Sequence, residues 1–153
     1  VLQDLGDDYA RRGKVYTGTV GEHVRHALDH VTAFVRGRET GLIQYDRRRR
    51  GTLVETDPKE ALDEIEDLAA QLPGIRGAMT GSVIRVQLIL DPKDGEVELN
   101  STLGREGAFV LSHVIHHMAI IGGILRDLGR TVPPSFGLAP STLAQDKPAK
   151  RKK

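Results

Sequence analysis

Three histidines, His113, His116 and His117, lie within five residues of the chain. They occur in an apolar stretch with helical periodicity. At about 100° per residue, His113 and His117 share the middle of the apolar face, whereas His116 lies at its border. Histidines four residues apart on one helix face can direct two ring nitrogens to one metal ion. Two core histidines hydrogen-bonded to carbonyl or carboxylate groups would show the same spacing, so a third ligand is needed to distinguish these interpretations.

Three further histidines, His23, His26 and His30, lie on a second predicted helix. The residues Thr19-Val20-Gly21-Glu22 have the pattern of a capping box, and the helix is predicted to run to about Arg36. The same angular reckoning places His23 and His30 beside the apolar stripe of this helix and His26 furthest from its centre. Periodicity alone therefore does not select His26 as the third ligand.

The other elements are predicted from period, caps and turn residues. Residues 101–129 form the long helix that carries the first three histidines, with Ser101 or Thr102 at its start and Gly129 at its end. The remaining elements are the final turn of a helix over residues 1–5, a long connection over residues 37–57, a third helix from Asp57 to Pro73-Gly74, and a β-hairpin over residues 82–99.

The long connection contains four consecutive arginines, Arg47 to Arg50. A run of charges is usually a solvated surface. Arginine side chains also bind carboxylate and other anionic groups through paired hydrogen bonds. Some of the four can therefore line an anion site at the end of the helices.

Composition limits the kinds of function. The chain has no cysteine, so a metal site must use histidine and carboxylate ligands. The net charge is +1; the residues after Gln145 carry +4 of it, which leaves −3 on the rest of the chain, and only 4% of residues are aromatic. A nucleic-acid surface is therefore not expected. No signal-peptide pattern opens the sequence and no apolar run approaches roughly 18 residues, which predicts a cytoplasmic protein without membrane attachment.

The segments TVGEHVRHALDH, SHVIHH and VPPSFGLAPST together resemble the DinB/YfiT-like superfamily of metalloenzymes. The likeness extends over most of residues 17–142. It implies an all-α fold, an up-down-down-up four-helix bundle, here with a β-hairpin inserted before the last long helix and with a first helix that is truncated. The expected organisation is one DinB-like domain over residues 1–142, followed by a disordered basic tail over residues 143–153.

The resemblance also implies a ligand set for a divalent metal. One histidine comes from the second helix of the bundle, and its position matches His26. Two histidines four residues apart come from the last helix and match His113 and His117. The angular reckoning agrees for this pair but not for His26, so His30 remains the alternative third ligand. Zinc or nickel is favoured, with iron and copper as alternatives, because imidazole binds all four.

Some members of the superfamily resemble transferases that use low-molecular-weight thiols. The expected function is thus that of a metal-dependent enzyme, a thiol transferase or related hydrolase, with a small-molecule substrate or thiol cofactor as partner. The alternative is a non-catalytic metal-binding or stress-related helical protein. A homodimer is also expected, because Gly107, Gly122 and Gly123 in the long helix would permit close approach of a second copy.

Overall fold

The computed structural model describes residues 1–73 and 81–145. Within these residues the chain forms helices α1 (Val20–Thr40), α2 (Pro58–Gln71), α3 (Leu103–Asp127) and α4 (Pro140–Gln145), and strands β1 (Leu42–Gln44), β2 (Val83–Ile89) and β3 (Glu96–Thr102). Short 3-10 helices occur at Leu2–Asp4, Gly6–Tyr9 and Leu53–Glu55. The three predicted long helices and the hairpin are therefore confirmed, with small shifts at their ends.

The predicted all-α four-helix bundle is wrong, because the described residues form a mixed α/β fold with a three-stranded sheet. Strand β1 pairs in parallel with β2, and β2 pairs antiparallel with β3, so that the order is β1-β2-β3. The hairpin is not an isolated appendage, since Ile84 and Val86 of β2 are buried in the core. Strand β1 was missed because it has only three residues, too few for an alternating pattern.

The last turn of α1 packs directly on β1, and this requires a glycine. A Cβ atom at Gly37 would lie 2.3 Å from Cγ1 of Ile43, so a larger residue there would force the strand away from the helix. Gly41 ends the helix in the left-handed region, at φ +75°. The connection predicted over residues 37–57 is thus shorter than expected, because α1 continues to Thr40 and β1 follows at once.

Helices α1 and α3 pack against each other and position the histidines. The capping box of α1 is confirmed: Glu22 N donates to Thr19 Oγ1 over 3.1 Å, and Thr19 N donates to Glu22 Oε2 over 2.8 Å. Helix α3 begins at Leu103 directly after β3, and Thr102 caps it by accepting a hydrogen bond from the Arg105 amide. Both helices therefore begin at residues set by side-chain caps.

The glycines of α3 approach other parts of the same chain. A Cβ atom at Gly123 would lie 2.4 Å from the Tyr16 ring, and one at Gly122 would lie 3.4 Å from the Phe136 ring. Packing within the chain thus accounts for Gly123, whereas a Cβ atom at Gly122 would make an ordinary van der Waals contact with the Phe136 ring. The homodimer is not tested by these contacts and stays a prediction.

The two ends of the described chain also differ from expectation. Residues 1–5, predicted as the last turn of a longer helix, contain a short 3-10 helix over Leu2–Asp4 instead. Residues 143–145, placed in the predicted disordered tail, belong to α4. Residues 146–153 of that tail, and Gly74 at the predicted end of α2, lie outside the described residues.

Helix α3 is long and apolar enough to cross a membrane by length and composition alone. In its most apolar window, 39% of the residues are buried inside the structure. Since a core helix of a globular protein passes the same test, one such helix is weak evidence for a membrane span.

Candidate metal centre

Two histidines from different helices face each other across the seam between α1 and α3. Nε2 of His26 lies 3.2 Å from Nε2 of His113. Two imidazole nitrogens that share one tetrahedral zinc ion, each at about 2.0–2.1 Å, are about 3.3 Å apart. The separation of this pair, at which the two rings of the metal-free protein are hydrogen-bonded, therefore also suits a shared metal ion.

A third histidine, His30, has ring nitrogens near this pair. One nitrogen each of His26, His30 and His113 lie within 4.8 Å of one another, so the three could hold a metal ion. Nδ1 of His30 donates to the His26 carbonyl over 3.1 Å, which leaves Nε2 as its lone-pair nitrogen. However, the His30 and His113 rings stack with centroids 3.9 Å apart and planes at 28°. Rings stacked face to face point their in-plane lone pairs side by side and not at one point.

A fourth histidine, His117, is inclined to the same pair. Its ring centroid lies 4.7 Å from that of His26 and 4.6 Å from that of His113, with interplanar angles of 83° and 68°. With metal–nitrogen distances of about 2.1 Å, imidazoles that share one ion have centroids about 4.5–5.2 Å apart. The distances between ring centroids thus favour the predicted set of His26, His113 and His117. The distances between ring nitrogens instead favour His30 as the third ligand beside His26 and His113.

A hydrogen-bonded chain orients His117. The Thr17 carbonyl can only accept, so Nε2 of His23 donates to it over 2.9 Å. Nδ1 of His23 is then an acceptor, and it accepts a hydrogen bond from Nδ1–H of His117 over 3.0 Å. His117 is left with a bare Nε2. Metal-ligating histidines are commonly held in this way by a partner on the other ring nitrogen.

We expect ¹⁵N spectra of the metal-free protein at pH 7.5 to show His23 as the Nε2–H tautomer and His117 as the Nδ1–H tautomer. The reason is the direction of the two hydrogen bonds to the Thr17 carbonyl and to His23. In a His23→Phe protein the preference of His117 for the Nδ1–H tautomer should weaken, while His30, whose Nδ1 donates to the His26 carbonyl, should keep its tautomer. An Nε2–H tautomer for His117 in the unmodified protein would contradict this hydrogen-bonded chain.

The environment keeps the candidate ligands neutral. Burial, followed by the neighbouring histidines, lowers the pKa of His26 and of His117 to about 3 and that of His113 to about 4. Burial also lowers the pKa of His30. Only a neutral imidazole binds a metal ion, so at pH 7 these rings need to lose no proton to act as ligands.

The same shifts predict that the metal-free protein loses stability in mild acid. Unfolded histidines take up protons below about pH 6.5, whereas the folded state keeps His113 neutral to about pH 4. The unfolded state therefore binds more protons between these values, and the free energy of unfolding falls as pH falls. Discounted for partial solvent access, the loss from pH 7 to pH 5 is on the order of 1–2 kcal/mol. Urea unfolding at the two pH values measures this loss. If His113→Leu left the pH dependence of the free energy of unfolding unchanged, the lowered pKa of His113 would not be a cause of the loss.

A cavity of about 390 Å³ opens beside the cluster, and His23, His26 and His117 line it. Two arginines of the predicted anion-binding run, Arg48 and Arg50, line it as well. The carboxylates of the same cavity are already engaged, Glu22 with Arg12 and Glu55 with Arg25. Arg48 lies 3.8 Å from Asp46, and Arg50 forms no ion pair with any described residue. The cavity can therefore accept an anionic group beside the histidines.

Arg49 has a different role, which periodicity could not reveal. Its Nε donates to Asp29 over 3.0 Å, and it also pairs with Glu64 of α2. Asp29 is buried and accepts from Arg25 over 2.9 Å as well. This buried network ties the connection after β1 to the side of α1, and so holds Arg48 and Arg50 at the cavity.

Two further residues near the cluster were not predicted. Tyr45 stacks on His30 with planes at 17° and donates to Glu106 over 2.8 Å. The Glu106 carboxylate, only 1% exposed, also accepts from Ser101 over 2.6 Å and from Arg105 over 2.8 Å. Since both of its oxygens have donors, Glu106 supports the cluster and is not a free ligand. The sequence spacing could have indicated Glu106, because it lies seven residues before His113 and therefore on the same face of α3.

His116 lies apart from the cluster. It is exposed, its ring centroid is 6.4 Å from that of His113, and its ring touches the cluster only at the edge, with its centroid 5.2 Å from that of His117. This position agrees with the predicted border of the apolar stripe.

Comparisons with known proteins give little further information. No family model matches the chain, and no solved structure matches it. A curated protein of Rhizopus delemar, "FK506-binding protein 5", is 32% identical to it over 103 residues. The match spans 67% of this chain but 27% of the relative, so the chain corresponds to about a quarter of that protein's length. The three-histidine cluster, which could hold a metal ion, therefore remains the main indication of function.

Proposed function

We propose that the protein is a metal-dependent enzyme whose divalent ion is bound by His26, His113 and His117. The observation that carries the proposal is the 3.2 Å separation of the His26 and His113 Nε2 atoms across the helix seam. The inclined His117 ring and its bare Nε2 support that residue as the third ligand over His30. The resemblance to the DinB/YfiT-like superfamily rests on the histidine motifs and the tail, and none of the three comparisons supports it.

The donor set fits zinc or nickel, with iron and copper as alternatives. Three neutral imidazoles cancel none of the ion's charge, so such an ion lowers the pKa of a bound water or thiol towards neutrality. The protein contributes the rest: burial holds the imidazoles neutral, the His23 contact orients His117, and the cavity admits a small molecule.

We infer that the substrate or co-substrate is a small thiol that carries an anionic group. Arg48 and Arg50 line the cavity that contains His26 and His117, and the nearby carboxylates are engaged elsewhere. Guanidinium groups at this position would orient a carboxylate while the thiol lies beside the histidines. The corresponding activity is a low-molecular-weight-thiol transferase.

The test begins with elemental analysis of protein purified without added metal, for which we expect about one divalent ion per chain. Cobalt-loaded protein is then titrated with bacillithiol, mycothiol, glutathione and 2-mercaptoethanol. We expect an absorption band typical of thiolate bound to cobalt with one of the anionic thiols, and about tenfold weaker binding of that thiol in Arg50→Ala. The matched control is Arg38→Ala, which lies outside the cavity lining.

The outcomes separate the candidates. Absence of metal in the purified protein, together with no uptake of cobalt, would reject the metal centre. One metal per chain without a spectral change for any thiol would reject the transferase and favour a non-catalytic metal-binding protein.

A further inference from the structure

A second cavity, of about 350 Å³, lies on another side of His117. Three helices form its walls, α1 on one side and α2 and α3 on the others, mainly through Val24, Leu28, Ile65, Leu68, Val114 and Ile121. Of the described residues that line it, His117 alone has a polar side chain. The volume falls within the about 300–1,000 Å³ of ordinary small-molecule sites, which are mostly apolar with a few placed polar groups.

The side chains on the floor of this cavity are recessed, whereas Leu72 at its rim is 41% exposed. Leu28, Leu68 and Ile121 are 8%, 7% and 4% exposed, although they line open space. A flat face that binds a second protein would leave such side chains more exposed. A small apolar group can enter the recess, whereas the surface of a folded partner protein cannot reach its floor.

His117 lies between the apolar cavity and the polar one. Its side chain lines both, and the polar cavity also contains His26 and the arginines Arg48 and Arg50. A molecule with one polar and one apolar end would therefore have its polar end at the histidines and its apolar end among the aliphatic side chains.

We infer that the apolar cavity binds an alkyl or aryl group of the substrate, so that the substrate class is a small amphipathic molecule. This inference rests on the proposed metal centre at the same histidine. It goes beyond that proposal because it assigns a second site, with its own residues, and a class of compound. In the proposed transferase, the second substrate, to which the thiol is transferred, is thus expected to carry an apolar group of a size that fills this cavity.

The test uses the full chain and 1-alkanols from butanol to decanol, which have no group that competes strongly for a metal. Binding to metal-free protein is followed by the ¹³C methyl signal of Met118, which lines the cavity. We expect affinity to rise about fourfold per added methylene and to level off once the cavity is filled. Ala69→Trp, which places a large ring in the lining, should weaken octanol binding at least tenfold, whereas Ala70→Trp, one residue further along and outside the lining, should change it less than twofold.

A second measurement connects the alkanol to the histidines. In cobalt-loaded protein, paramagnetic relaxation should be stronger for the protons beside the hydroxyl group than for the terminal methyl group. Alkanol binding in protein that contains no metal as purified and takes up no cobalt would reject the metal centre but retain the apolar site. Metal-loaded protein in which the alkanols do not bind, or in which Ala69→Trp has no effect, would overturn the inference. Concentration-dependent association that Ala69→Trp abolishes would assign the cavity to a second copy and overturn it as well.

Discussion

We expect His113→Ala to abolish stoichiometric metal binding, from about one ion per chain to nearly none. His113 shares the 3.2 Å nitrogen pair with His26, and its ring is close to both candidates for the third ligand, His30 and His117. Its loss therefore removes a ligand from every set that the geometry allows. Elemental analysis after dialysis against a weak chelator measures the result.

His116→Ala is the matched control, since it removes an exposed imidazole from the same helix. We expect it to retain the full metal content. Equal metal content in wild type and His113→Ala would end the proposal.

Two more variants, His117→Ala and His30→Ala, identify the third ligand. If His117 is a ligand, His117→Ala should lose the ion, whereas His30→Ala should keep it with affinity lowered by about 10–100-fold, as for other residues that only support a ligand. The reverse pattern would make His30 the ligand. The stacked ring of His30 would then have to rotate off His113.

The largest effect on stability is expected for Asp29→Ala. Asp29 is 4% exposed and accepts hydrogen bonds from Arg25 over 2.9 Å and Arg49 over 3.0 Å. Removal of one partner from a buried ion pair costs about 3–5 kcal/mol when the other charge is left without compensation. Arg25 keeps its pair with Glu55 and Arg49 keeps its pair with Glu64, so we expect a loss at the lower end, about 3 kcal/mol. Urea unfolding of the metal-free protein should show this loss.

Asp63→Ala is the control, because Asp63 pairs with Lys59 on the exposed face of α2. Exposed pairs contribute little, so the change should stay below about 1 kcal/mol. If Asp29→Ala does not fold, Asp29→Asn keeps the shape and one acceptor and should give a smaller loss. A loss below about 1 kcal/mol in Asp29→Ala would contradict the importance of the buried network.

Local sequence was enough to predict much of the secondary structure. The capping box at Thr19, the Asp57-Pro58 start of α2 and the three- and four-residue spacing in α3 act over a few residues, so each is readable without the rest of the chain. The alternation over β2 and the turn after it likewise predicted the hairpin. By contrast, β1 forms because Leu42 pairs with Arg85, a contact far along the chain that no local period contains.

For the candidate site, too, local sequence predicted one part and long-range contacts decided the other. The sequence by itself determined that His113 and His117 share one face of α3, because four residues make about one helical turn. Only the tertiary structure decided the role of the α1 histidines. The centre of the α1 apolar stripe faces the core, but the cluster lies at the seam with α3. His26, far from that centre, therefore meets His113 just as His30 does. The contact of His23 with His117 depends on the distance between two helices, which no spacing within either helix can specify.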